Sequence, residues 1–129
     1  MREKVEYAIE KLEDGFLRLK EGLSSAEDEL EMDGVIQRFE FTFELFWKAL
    51  KIFLEYQGIE AKTPRDSLKE GFRIGLLDEE KVYLDMLEDR NLTSHIYDKE
   101  TVEEVFKRIK AEYGKTIEKV LNNLKRRIE

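Results

Sequence analysis

The stretch VIQRFEFTFELFWKALKIFLEY, residues 35–56, constrains the fold more than any other. Read at helical spacing, Phe39, Phe43, Phe46, Leu50 and Phe53 or Leu54 form one apolar stripe, and Phe41, Leu45 and Ile52, with Trp47 nearby, form a second. A helix that is apolar over most of its circumference must be covered on more than one side. No β-type alternation occurs elsewhere in the chain, so the cover has to be helical. In a chain of 129 residues, one of those sides is expected to face another subunit. The aromatic stripe therefore reads as core and dimer seam rather than as a platform for stacking bases.

The other helices follow the same spacing. Val5, Ala8, Ile9, Leu12, Phe16, Leu19 and Leu23 mark a first helix, with Gly15 beside the stripe. The run GLSSAEDELEMDG reads as a solvated loop that also carries helix-starting acids. Gly58 ends the second helix, and Thr63, Pro64 and Asp66 have the order of an N-cap, first position and acidic first turn. They open a short third helix over 64–74. Asp78 is expected to cap a fourth helix over 79–94, and Asp98 a last one that buries Val102, Val105, Phe106, Ile109, Tyr113, Ile117, Leu121, Leu124 and Ile128. The expected fold is all-α: an antiparallel four-helix bundle with one short connecting helix, formed by residues 1–129 as a single domain.

Composition removes several classes of function. The chain has no cysteine and one histidine, so disulfides, thiolate metal sites and multi-histidine sites are excluded. No apolar run reaches the length of a signal-peptide core or of the roughly 20 residues of a membrane span, and the chain reads as cytoplasmic, with no membrane contact. A net charge of −7 argues against wrapping nucleic acid over a broad surface. The basic cluster Lys125, Arg126 and Arg127 is accounted for as a complement to the dipole of a terminal helix. Gly71 and Gly75 have GxxxG spacing but follow no strand, and they read as helix-end glycines.

Chemistry concentrates in DMLEDRNLTSHIYDKE, residues 85–100. On a helix Asn91 and His95 share one face, and Arg90 and Ser94 the next. Tyr97 would align with Arg90 if the helix continued that far. A permanent cation, an amide, an imidazole and a phenol gathered at one helix end suit work on a phosphodiester. Arginine stabilises the added negative charge of the transition state and histidine passes a proton near neutral pH. Acid and base together need two histidines, which one chain lacks and a symmetric dimer supplies. The bland alternative is a histidine that only satisfies the helix C-terminus.

RNLTSHIYD, with QRFEFTFELFWKALK upstream and TPRDSLKEGFRIGLLD between, resembles the HEPN superfamily. More narrowly, it resembles the nucleotidyltransferase substrate-binding proteins, the HEPN partners of minimal nucleotidyltransferases. The resemblance runs from about Gly34 to Ile109. Arg90 and His95 match the family's arginine-x4–6-histidine hallmark, Asn91 its polar residue after the arginine, and Tyr97 the longer form that ends in tyrosine. The resemblance implies a helical bundle that dimerises with the motif at the interface. It also implies metal-independent RNase activity in many members, with Arg90, Asn91 and His95 as the catalytic set. In the tyrosine-bearing subset it implies transfer of AMP to that tyrosine, here Tyr97, by the partner enzyme. No cofactor is expected in this chain, since ATP and Mg²⁺ would belong to the partner.

Three readings follow. The first is a regulatory or substrate-binding subunit that pairs with a small nucleotidyltransferase in a toxin–antitoxin-like system. The second is an RNase toxin that acts on RNA and is neutralised by that partner. The third is a helical dimer whose motif only stabilises its interface.

Overall fold

The computed structural model describes residues 1–129. It contains α1 (Arg2–Ser25), α2 (Glu29–Tyr56), α3 (Pro64–Arg73), α4 (Glu80–His95) and α5 (Lys99–Arg108), then a π-helical turn (Ile109–Tyr113) and α6 (Gly114–Arg127). The backbone stays right-handed helical from α5 through the π turn into α6, so these three form one rod. Neighbouring rods run in opposite directions. Thr42 Oγ1 donates to Gly15 O at 3.1 Å and Arg38 Nη1 to Arg18 O at 2.6 Å, which pairs α1 with α2 antiparallel. Lys20–Glu118 and Lys125–Glu13 do the same for α1 and α6. The expected four-helix bundle is the observed one, with α3 as the short connector.

α2 fills the centre, as its composition requires. Phe39, Phe43, Phe46, Leu50, Phe53 and Leu54 are all fully buried. Their rings extend into an aromatic chain: Phe39 stacks on Tyr113 at 5.5 Å, and Phe46 meets Tyr83 of α4 at 5.7 Å. The second stripe is only half-covered, with Phe41, Leu45, Trp47 and Ile52 at intermediate exposure. Part of that cover comes from within the chain, because Gly15 of α1 lies against Leu45 and Phe41. Gly15 is thus the crossing point of α1 and α2, not a bystander next to the stripe. A Cβ there would stand 2.7 Å from Leu45.

Local signals set most helix ends. Thr63 caps α3 by accepting from Asp66 N at 3.1 Å, and Asp98 caps α5 by accepting from Thr101 N at 2.8 Å. Gly58 and Gly75 take positive φ just past α2 and α3, where other residues would be strained. Four expectations are corrected. The acidic run is mostly helix: Asp28 and Glu31 form a capping box, so α2 begins at Glu29. Asp78 does not cap α4. It pairs with Lys119 of α6, and α4 starts after Glu79 without a side-chain cap. Gly71 lies inside α3, where Leu50 and Leu77 would crowd a Cβ at 3.1 and 3.2 Å. The last helix is not uniformly α, since the π turn interrupts it.

Candidate functional site

The motif residues lie at the C-terminal end of α4 and just beyond it. α4 stays α-helical to His95, and Ile96 is extended, so Tyr97 leaves the helix and does not align over Arg90. On a regular α-helix residues five apart point about 140° apart. Arg90 and His95 therefore face different sides. Arg90 turns inward toward α2, while His95 is exposed at the helix end. The structure brings Arg90 and Asn91 together, with Arg90 Nη1 donating to Asn91 Oδ1 at 2.9 Å. It does not bring His95 onto the same face of one chain.

Arg90 is held by a carboxylate that the motif does not contain. Its Nη2 pairs with Glu44 of α2, and its guanidinium lies 5.9 Å from the Phe43 ring centre. One turn earlier on α2, Glu40 accepts from Thr93 Oγ1 at 2.7 Å. Burial would push the Glu44 carboxyl up, but the Trp47 indole N–H and the Arg90 guanidinium hold it below its ordinary value. Trp47 Nε1 is buried and makes no hydrogen bond of standard geometry.

Directly before Arg90, Asp89 is buried, only 7% exposed, and fixes the other side of α4. Arg108 grips it bidentately, both bonds 2.8 Å, and Tyr113 Oη donates to it at 2.5 Å. Arg108 and Tyr113 are five apart and would diverge on an α-helix. The π turn between them, closed by Gly114 N–H to Ile109 O, brings both onto one face. Burial first, then the Asp89 carboxylate, push the Tyr113 phenol well above its ordinary value, and the bond to Asp89 raises Arg108 above its own.

Tyr97 is 51% exposed. Its hydroxyl reaches back to Asp33 O near the start of α2, a long contact of 3.4 Å. Partial burial, Asp33 and Glu40 together push its phenol up to about 12. At neutral pH it is a protonated phenol and needs an external base to act as a nucleophile. None of the principal surface pockets includes Arg90, His95 or Tyr97. The largest, about 490 Å³, lies between the start of α4 and the stretch where the π turn passes into α6, with Asp78, Glu112, Lys115 and Lys119 in its lining. No three His, Asp or Glu side chains are placed to hold a metal ion.

Sequence reasoning missed Glu40, Glu44 and Asp89. The signal for the first two was present: Glu40 and Glu44 stand one turn apart among the apolar stripes of α2, where a carboxylate needs a partner. Asp89 carried no such signal, because its partners depend on the π turn.

Comparison with known proteins places the chain among relatives. A family model described as nucleotidyltransferase substrate binding protein like matches residues 3–126. A protein of Haemophilus influenzae named a probable ribonuclease HepT is 36% identical over 81 residues, 59% of this chain. The match spans 56% of that relative's length. A crystal structure of a Thermus thermophilus protein is similar with a TM-score of 0.80 at 39% identity, covering 88% of this chain and 98% of the other. A Haemophilus influenzae structure, described as revealing the fold of a substrate binding domain of a nucleotidyltransferase, has a TM-score of 0.69 at 25% identity and covers 97% and 99%.

Proposed function

Since the chain belongs to the nucleotidyltransferase substrate binding protein like family, we propose that it is the HEPN subunit of a two-component, toxin–antitoxin-like system. In this reading a separate small nucleotidyltransferase binds it and transfers AMP to Tyr97. The observation that carries the reading is the position of Tyr97: an exposed phenol on a short extended segment, two residues past His95 and outside the principal pockets of its own chain. Such a group can enter another protein's active site without unfolding a helix. The phenol oxygen would attack the α-phosphorus of ATP, the bond to pyrophosphate would break, and the proton would pass to a base at the interface. ATP and Mg²⁺ would enter with the partner. The expected result is a mass gain of one or more AMP units on incubation with the cognate nucleotidyltransferase, ATP and Mg²⁺, lost in Tyr97→Phe. An active partner that leaves the mass unchanged removes the modification reading.

A second reading is supported by the Arg90–Asn91 pair, by exposed His95, and by the relative named a ribonuclease. Here the chain is a homodimeric, metal-independent RNase. Arg90 would steady the phosphate once Glu44 is displaced, and histidines from two chains would serve as base and acid. The half-covered stripe of α2 offers the seam. His95→Ala should then abolish RNA cleavage while the dimer persists. Wild-type dimer that cleaves no RNA rejects it.

A further inference from the structure

The end of the bundle that carries Tyr97 differs in charge from the rest of the molecule. Residues 27–33 hold five acids and no base, and residues 98–104 hold four acids and one lysine. That net −8 exceeds the −7 of the whole chain, so the remainder is close to neutral. Caps explain part of it, since Asp28, Glu31 and Asp98 serve the starts of α2 and α5. Glu27, Glu29, Asp33, Glu100, Glu103 and Glu104 cap nothing and join no ion pair. Apolar side chains stand among them. Leu30 is 79% exposed, the most exposed large apolar residue of the chain, and lies one helical turn from Asp33, which Tyr97 touches. Ile96 is 49% exposed beside Tyr97.

We propose that this tip, apolar at Leu30, Ile96 and Tyr97 and ringed by unpaired carboxylates, is the docking surface for a cationic face of the nucleotidyltransferase. The inference rests on the first reading above and adds the chemistry of the partner's contact surface. An apolar centre with a charged rim is the form of a transient protein interface, and the rim selects a partner of opposite sign. A second copy is a poor occupant, because a two-fold contact sets the same carboxylates against themselves. RNA is a poor occupant for the same electrostatic reason. A triphosphate can approach Tyr97 here only when the protein that carries it also brings positive charge.

The test is affinity for the cognate nucleotidyltransferase at low and high salt, measured for wild type, Glu29→Lys/Glu100→Lys and Leu30→Ser, each checked for helicity first. Both variants should bind at least about tenfold more weakly, and the charge variant should lose most of its salt dependence. Glu79→Lys/Glu112→Lys, at the distant groove, should bind as wild type. Wild-type affinity in both tip variants overturns the docking surface and leaves the first reading standing. Loss of self-association in place of partner affinity assigns the tip to a second copy and also overturns it. A wild-type chain that neither binds the partner nor is modified takes both down. If one variant fails to fold, the other decides alone.

Discussion

At the scale of single residues, the site is shaped by which carboxylate holds which cation. Glu44 keeps Arg90 turned into the groove beside α2, and both side chains remain about a third exposed or less. Solvent screening limits the pair to ~1 kcal/mol or below at neutral pH. Its signature lies in the acid range. A carboxyl held below its ordinary value of 4.5 stabilises the fold above that pH and loses the contribution as pH falls through its folded value. Arg90→Gln should therefore raise the Glu44 titration midpoint, read by carboxyl NMR, and flatten the loss of stability below pH 4.5 relative to wild type. An unchanged Glu44 midpoint would show that the pair does not form in solution.

At the scale of elements, two joints decide where α4 stands. One is the Asp89–Arg108–Tyr113 cluster across the π turn. Tyr113→Phe removes one hydrogen bond and should cost about 1 kcal/mol, whereas Asp89→Ala leaves the buried phenol unpaired and should cost about 2–3 kcal/mol, both read by urea unfolding. Equal effects would mean that the phenol carries the joint alone. The other joint is the α1–α2 crossing at Gly15. Gly15→Val adds methyl groups where one Cβ already meets Leu45, and should cost about 1–3 kcal/mol in thermal unfolding by forcing the helices apart. Much of this level was legible in sequence. The stripes of α1 and α2 and the Thr63 and Asp98 caps depend on neighbours within a turn or two. Asp78 was misassigned because a long-range lysine, Lys119, competes for it. The π turn was invisible, because its reason is a carboxylate on another helix.

At the scale of the whole molecule, the α-helical angle between Arg90 and His95 makes a one-chain site incomplete. The RNase reading then requires a site shared across a two-fold axis. Mixing equal amounts of wild-type and His95→Ala subunits should leave about a quarter of wild-type cleavage, since only dimers of two wild-type chains keep both histidines. Half of wild-type cleavage in a verified random mixture would show that one histidine suffices and would reject the shared pair.

The order of the amino acids was enough for the helical class, the central place of α2, most helix ends, and the clustering of Arg90, Asn91, His95 and Tyr97 near one helix terminus. Each of these rests on local spacing or on capping bonds that span a few residues. It took the packing of helices in three dimensions to give Arg90 to Glu44, to lock Asp89 with Arg108 and Tyr113, and to bring Tyr97 off the helix to the acidic start of α2. Those outcomes join residues between about 20 and 65 positions apart. A charge in a sequence has many possible partners, and only packing leaves it with one.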